Sequence, residues 1–338
     1  MRTTVQDLLA LTAELLVDRG LARDRAERTA KVLVQAELWG IGSHGVLRLP
    51  IYLDRLAEGG HPADADLTTV DDTGPLLTLD GNGGLGHWQL AEATSRAVER
   101  AGRYGIAAAG VANSGHCGAL GVYAAQIADV GMAGLVFSCG PAALPAWGGR
   151  TALLSTSPIA AGFPMPGGNA IIDLAMSTVA RGKIAAHARA GEPLPDGWAL
   201  DADGEPTNDP VAALTGMLSP LGGAKGFALA FMVEALTAGL VGPLLSADVP
   251  DFFDREQYGA SQRIAHLVIV LDPARTGAGG DAEQRLGELA ERTAQAGGRV
   301  PGSRRRSLEQ VEPDTPIDIA DDLWEELTTR REPTESTE

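Results

Sequence analysis

The sequence predicts an α/β protein, with a helical N-terminal unit leading into a layered core of alternating strands and helices. Three observations predict it. Apolar residues recur at helical spacing over residues 4–17 and 23–38. From Leu76 onward, short apolar runs alternate with helical stretches. A composition of 44% hydrophobic and only 4% aromatic residues fits a soluble globular α/β chain. At 338 residues it can bury a large core, as one large domain or two interleaved ones.

Taken in order, Thr3 or Thr4 can cap the first helix and Asp24 lies near the start of the second. A further helix that opens at Val46 and runs through Tyr52 is the premise for reading the Ser-His loop before it. Residues 62–72 are polar and turn-rich and read as a linker. Strands are expected at 76–79, 106–112 and 133–138, with helices at 87–102 and 121–130 between them. Residues 141–158, rich in Pro and Gly around Trp147, read as an ordered loop near a site. Then come a strand at 170–174, a helix at 178–189, turns over 192–210 and a buried helix at 227–240. A strand at 264–271 and an amphipathic helix at 281–296 follow. From Arg330 the composition is that of a disordered tail.

A net charge of −17 argues against a nucleic-acid or anionic-membrane surface, because phosphate binding is driven by basic residues. Asp7, Glu14 and Asp18 interrupt the first apolar pattern, so no export signal is expected. Residues 227–245 carry Glu234 in their middle, which favours a buried helix over a membrane span. Only Cys117 and Cys139 are present, which fits a reducing compartment and makes the cytoplasm the expected location. No HExxH, CxxC or EF-hand spacing occurs, so no metal is expected.

The stretch Gly40-Ile41-Gly42-Ser43-His44-Gly45-Val46-Leu47-Arg48-Leu49-Pro50 is the strongest chemical signal. On a helix, His44 and Arg48 would be neighbours one turn apart. An imidazole that titrates near neutrality can exchange a proton there, beside a cation able to grip a carboxylate. Gly81-Asn82-Gly83-Gly84-Leu85-Gly86 satisfies GxGxxG, yet the next strand ends in Asn113 and Ser114 rather than an acid. A glycine turn is therefore favoured over a Rossmann phosphate loop. Asn113-Ser114-Gly115-His116-Cys117-Gly118-Ala119-Leu120-Gly121 joins a strand to a helix, as either a tight turn or an anion-binding helix start. Leu221-Gly222-Gly223-Ala224-Lys225-Gly226 opens another helix and is not a Walker A loop. Pro301-Gly302-Ser303-Arg304-Arg305-Arg306 is the one basic cluster, either a solvated turn or a phosphate contact.

Together these stretches resemble the malate/L-lactate dehydrogenase family of NAD(P)-dependent oxidoreductases, which is distinct from the Rossmann-type lactate and malate dehydrogenases. Further segments carry the resemblance: Pro145-Ala146-Trp147-Gly148-Gly149, Thr156-Ser157-Pro158-Ile159-Ala160, Ile172-Asp173-Leu174-Ala175, Gly182-Lys183, Gly197-Trp198-Ala199-Leu200-Asp201, Pro206-Thr207, Asp209-Pro210 and Pro220-Leu221-Gly222-Gly223. It covers nearly the whole chain in order.

The resemblance implies a non-Rossmann, layered α/β/α dinucleotide-binding core over residues 76–304 with a helical insert. Residues 1–75 and 305–338 would form a substrate and dimerisation domain, and the protein would be a homodimer. It implies NAD or NADP as cofactor and a small carboxylate substrate, a 2-keto or 2-hydroxy acid or, alternatively, a cyclic imine. His44 would be the proton donor, Ser43 its orienting partner, and Lys183 a further catalytic position. Arg48, Thr156, Arg181 and Gly182 would bind substrate. His116, Cys117, Gly118, Ala119, Leu120, Asp173, Leu174, Ala175, Met176, Ala224, Lys225, Gly302, Ser303, Arg304 and Arg306 would hold the dinucleotide.

The chain departs from the family pattern at Trp39, Gly42, Cys117, Ser155, Ser157 and Met176, all around the expected pocket. Lys183 stands where imine-reducing members carry an acid, which tilts the expectation toward a keto acid. A catalytically silent, dinucleotide-binding relative is the reading from another class; intact Ser43, His44 and Arg48 oppose it.

Overall fold

The computed structural model describes residues 1–276 and 281–331. The two ends of the chain meet at the outset, since β1 (Arg2–Thr4) pairs antiparallel with β14 (Pro316–Asp318). The Thr4 hydroxyl caps α1 (Val5–Asp18), accepting the Asp7 N–H at 3.1 Å and so satisfying an otherwise orphaned amide. With α2 (Arg23–Leu38), α3 (Leu49–Ala57) and α11 (Asp321–Thr329), it encloses one apolar cluster in which Leu8, Leu15, Leu33, Leu53 and Leu327 are fully buried. Each such leucine contributes roughly 2 kcal/mol of transfer free energy.

The main sheet is built from β2 (Thr68–Asp72), β3 (Leu76–Asp80), β4 (Ile106–Ser114), β5 (Ala133–Ser138), β8 (Ile159–Phe163), β9 (Ala170–Leu174) and β13 (Ile264–Leu271). Its order is β2-β3-β4-β13-β5-β8-β9. Only β3 and β4 run parallel, and the crossover this demands is α4 (Gly86–Tyr104). β13 comes from far along the chain and lies between β4 and β5, Val268 pairing with Ala109 on one side and Val136 on the other. A central strand is covered on both faces, which is why its sequence is apolar throughout except for His266. α4 and α5 (Leu120–Asp129) cover one face of the sheet. The other face is met by α8 (Ala224–Glu234) and the π-helical turn Ala235–Gly239 that continues it. This is the layered α/β/α arrangement expected from the sequence, and the antiparallel β13 at its centre departs from a Rossmann sheet.

A smaller unit is built around its own apolar cluster, which includes Leu154, Met176, Ile184, Leu194 and Leu218. It contains the pair β6 (Leu144–Pro145) and β7 (Ala152–Leu154), helices α6 (Arg181–Ala190) and α7 (Pro210–Thr215), and a three-stranded sheet of β10 (Ala199–Leu200), β11 (Pro206–Thr207) and β12 (Met217–Leu218). After β13 come α9 (Pro273–Thr276) and α10 (Ala282–Gln295).

Four expectations need correction. Residues 46–52 do not open one helix: Gly42–His44 and Val46–Arg48 are separate 3₁₀ turns, and α3 begins only at Leu49. The expected linker at 62–72 ends in β2, an edge strand whose five residues are all exposed. The expected buried helix at 227–240 carries exposed apolar side chains, Phe231 at 57% and Leu240 at 78%. Arg330 is ordered at the end of α11, where its guanidinium donates to Asp54 at 2.6 Å; residues 332–338 of the expected tail lie outside the described residues.

β8 was not expected, because Ile-Ala-Ala-Gly-Phe has little strand character. Its reason is packing: a Cβ at Gly162 would collide with the backbone carbonyl of Ala124 on α5. Gly162→Ala should therefore lower unfolding free energy by about 1–3 kcal/mol, whereas Gly182→Ala, in the open first turn of α6, should be neutral or slightly stabilising. Urea titration of both variants checks this; equal stability would contradict it.

Candidate active site

Ser43 and His44 occupy the turn between α2 and α3. The Ser43 hydroxyl is 3.0 Å from His44 Nδ1, a contact that orients the ring. Glu37, at the end of α2, reaches into the turn and accepts the Val46 N–H at 3.1 Å. A Cβ at Gly45 would collide with that carboxylate, so the glycine is what permits the approach. Desolvation raises the Glu37 pKa above the usual carboxylate range.

Arg48 and His44 are brought together by the turn rather than by a helix face. The Arg48 Nε donates to the Ser43 carbonyl at 2.9 Å, and its guanidinium lies over the Phe253 ring at 4.6 Å. Among the described residues its two terminal nitrogens meet no acceptor, so the fork is available to an anion. Burial, with Arg48 adding to it, lowers the His44 pKa to about 4. Its imidazole is thus neutral at pH 7.

The β4–α5 turn supplies the opposite wall. His116 stacks against His44 with ring centroids 5.8 Å apart and packs against Phe252 at 4.8 Å. Its backbone N–H donates to Gln262 at 3.1 Å. Tyr52 of α3 places its hydroxyl 2.7 Å from His116 Nδ1, and His87 meets the Tyr52 ring edge-on at 4.6 Å. Cys117 is buried, and burial pushes its thiol up to about 12, so it is inert at neutral pH.

The remaining sequence-predicted residues fall into two groups. Around the start of α5, the Asp173 carboxylate accepts the Gly121 N–H at 2.9 Å. The basic loop packs against the same place: Trp39 donates to the Arg306 carbonyl at 2.7 Å, and the Arg305 guanidinium covers the Trp39 ring at 5.1 Å. Gly302 lies against Ile171, so closely that a Cβ would collide with it. In the second group, the Met176 N–H donates to the Thr156 carbonyl and the Leu221 N–H to the Met176 carbonyl, both at 2.8 Å. These bonds tie Thr156 and Leu174-Ala175-Met176 to the turn that opens α8 at Ala224-Lys225. Arg181 donates to the Leu214 carbonyl at 2.5 Å, within the smaller unit, and Lys183 is exposed. Among the described residues, no hydrogen bond joins Thr156, Arg181, Gly182 or Lys183 to the Ser43-His44 turn.

A dinucleotide fits the features present. α8 starts without a side-chain cap, at Gly223, leaving amide donors for phosphate, whereas at α5 the Gly121 N–H is already held by Asp173. Arg305 Nη1, beside the start of α5, is buried and makes no hydrogen bond among the described residues. By contrast, the first four amides of the Gly81–Gly86 loop are taken within the protein: those of Gly81, Gly83 and Gly84 donate to backbone carbonyls and that of Asn82 to Asp80, as in a structural turn. A cavity of about 480 Å³ lies elsewhere, lined by Trp147, Thr178, Ser219 and Gly223 but not by His44.

Sequence reading missed Glu37, Tyr52, Phe252, Phe253, Gln262 and Arg305's inward orientation. Tyr52 had a signal, four residues beyond Arg48; the Phe252–Gln262 wall had none, since the chain returns there from a distant strand.

The malate/L-lactate dehydrogenase family model matches residues 3–328, and the chain belongs to that family. It is 40% identical to the (2R)-3-sulfolactate dehydrogenase (NADP(+)) of Chromohalobacter salexigens, over 86% of each chain. To the Delta(1)-pyrroline-2-carboxylate/Delta(1)-piperideine-2-carboxylate reductase of Pseudomonas aeruginosa it is 34% identical, over 97% of this chain and 98% of that one. Among solved structures, the sulfolactate dehydrogenase of Methanocaldococcus jannaschii superposes with a TM-score of 0.88 at 28% identity, covering 98% of this chain and 96% of that one. The delta1-piperideine-2-carboxylate reductase of Pseudomonas syringae also gives 0.88, at 32% identity, covering 98% and 99%.

The five buried or half-buried histidines make stability depend on pH. Burial is the main cause that lowers the His61 and His266 pKa values to about 4 and that of His87 to about 3, and it holds His116 well below its usual range. The unfolded chain takes up these protons near pH 6.5 and the folded chain only near 4, so the stabilisation is complete above 6.5 and lost as pH falls toward 4. His266 alone accounts for on the order of 3 kcal/mol. Urea unfolding at pH 7.5 should give a free energy several kcal/mol above that at pH 4.5; a flat profile would contradict the neutral-histidine interior.

Proposed function

We propose that the protein is an NAD(P)H-dependent oxidoreductase that interconverts a small 2-keto acid and its 2-hydroxy acid, with His44 exchanging the proton. The observation that carries this is the Ser43-His44-Arg48 turn, an oriented imidazole beside a guanidinium whose terminal nitrogens meet no acceptor among the described residues.

Residues on this chain perform distinct tasks. Arg48 grips the substrate carboxylate bidentately. Ser43 holds Nδ1 of His44, so Nε2 faces the substrate heteroatom. A carboxylate bound at Arg48 offsets the cation that helps depress His44, which raises its proton affinity and readies it as an acid for reduction. The neutral imidazole serves as base in the reverse direction. When bound, the dinucleotide supplies or accepts the hydride. Ala119, Leu120 and the start of α8 hold its phosphates, Leu174 to Met176 lie along it, and Thr156 with Arg181-Gly182 and Lys183 borders the substrate.

A cyclic imine is the second reading, supported by the pyrroline- and piperideine-carboxylate reductases among the relatives. The exposed cation Lys183 favours the keto acid. NADP is preferred over NAD, supported by the arginines of the 302–306 loop and by the NADP(+) relative. Residues 1–75 with 305–338 form the substrate domain and 76–304 the dinucleotide domain. The protein is a homodimer, which the exposed apolar side chains Leu229, Phe231, Met232 and Leu240 support, and it is cytoplasmic, in keeping with two unpaired cysteines.

His44→Ala should lower kcat by about 10²–10⁴-fold on a panel of 2-keto acids and cyclic imines, while NADPH binding by fluorescence stays intact. Retained turnover would sink the assignment. Arg304→Ala with Arg306→Ala should raise KM for NADPH about tenfold or more and leave NADH nearly unaffected; equal effects on both cofactors would contradict the NADP preference.

A further inference from the structure

We propose that Tyr52 is a positioning residue that locks His116 as its Nε2–H tautomer, so that the two stacked imidazoles divide the work. His44 exchanges the proton, and His116 is a permanent hydrogen-bond donor to the bound ligand. The division rests on the reading of the His44 cleft as the reaction site.

Tyr52 is fully buried among rings, with Phe252 at 5.6 Å and His87 at 4.6 Å. A hydroxyl in such surroundings is costly unless it is hydrogen-bonded, and its partner here is His116 Nδ1 at 2.7 Å. Burial raises the phenol's pKa far above neutrality, so it keeps its proton. A phenol can donate or accept; a second group decides between the two.

That group is the backbone amide of Gly118, which points at the same Nδ1 at 3.2 Å. An amide N–H only donates, so Nδ1 must present its lone pair, and the phenol therefore donates as well. The ring proton is left on Nε2. Among the described residues no acceptor meets Nε2, so this donor is free for a ligand. Were the proton on Nδ1, the phenol would have to accept it, and the Gly118 N–H would face a second donor with nothing to receive it.

The charged state is closed off too. The titratable and charged groups that face His116 are His44, His87, His266 and Arg48, and all of them are neutral or cationic. Each disfavours an imidazolium, and none compensates one. His116 thus keeps one tautomer and one charge across the pH range in which His44 works. The lock also connects the two parts of the molecule, since Tyr52 belongs to α3 and His116 to the β4–α5 turn.

The test is two-bond ¹H–¹⁵N NMR of the full-length protein labelled with ¹⁵N-histidine, with the His116 signals assigned by their loss in His116→Asn. The expected wild-type pattern is neutral Nε2–H from about pH 5.5 to 8. Tyr52→Phe, nearly isosteric, should mix the tautomers, shift the His116 titration upward and lower kcat about tenfold. A wild-type His116 that is Nδ1–H or cationic at neutral pH overturns the proposal without recourse to a variant. So does an unaltered tautomer in Tyr52→Phe. The spectra do not depend on turnover. A locked Nε2–H ring in a protein inactive on every keto acid and imine would therefore uphold the lock while removing the functional reading on which its catalytic consequence rests.

Discussion

The structure depends on the docking of α3 and the Ser43-His44 turn against the β4–α5 turn, where Tyr52 meets His116 at 2.7 Å and His44 stacks on the same ring. The proposed proton-exchange site lies across this contact. The N-terminal unit supplies Ser43, His44 and Arg48; the core supplies His116 and the start of α5 beyond it. Apolar burial under α1 to α3 holds the first side in place, and the pairing of β1 with β14 adds the far end of the chain to the same cluster.

Burying imidazoles is the constraint that accompanies this arrangement. A cationic histidine in the interior would be uncompensated, so burial drives the rings neutral and directional hydrogen bonds then decide their tautomers. His266 shows the same logic in the central strand, between the Ser138 hydroxyl at 2.9 Å and the Gly115 carbonyl at 3.1 Å. Neutral imidazoles suit a site whose substrate is an anion and whose fixed cation is Arg48, because the proton affinity of His44 then responds to whether the anion is bound.

Much of this was legible in the sequence where chemistry is local. Ser43, His44 and Arg48 are nearly contiguous, and the glycines around them mark a tight turn whatever the tertiary fold. The layered core was legible from alternating periodicity. The strand order was not, since β13 enters between β4 and β5 from more than a hundred residues away and only packing selects that position. The helix at 227–240 misled because apolar residues on all sides read as burial, whereas Phe231 and Leu240 are exposed. The inward wall of Phe252, Phe253 and Gln262 carries no motif, so tertiary contact alone reveals it. The linker that became β2 failed for a simpler reason: an exposed edge strand needs no apolar alternation.

The central claim is that the His44 turn, and not the cavity beside Trp147, is where a carboxylate-bearing substrate meets the nicotinamide. A crystal structure of the protein with NADP⁺ and a non-reacting 2-keto acid analogue tests it most directly. The account predicts the analogue's carboxylate on the Arg48 fork, its 2-oxygen within hydrogen-bond reach of His44 Nε2, and the nicotinamide C4 roughly 3–3.5 Å from the carbonyl carbon. An analogue seated in the Trp147-lined cavity, with Arg48 and His44 untouched, would contradict it.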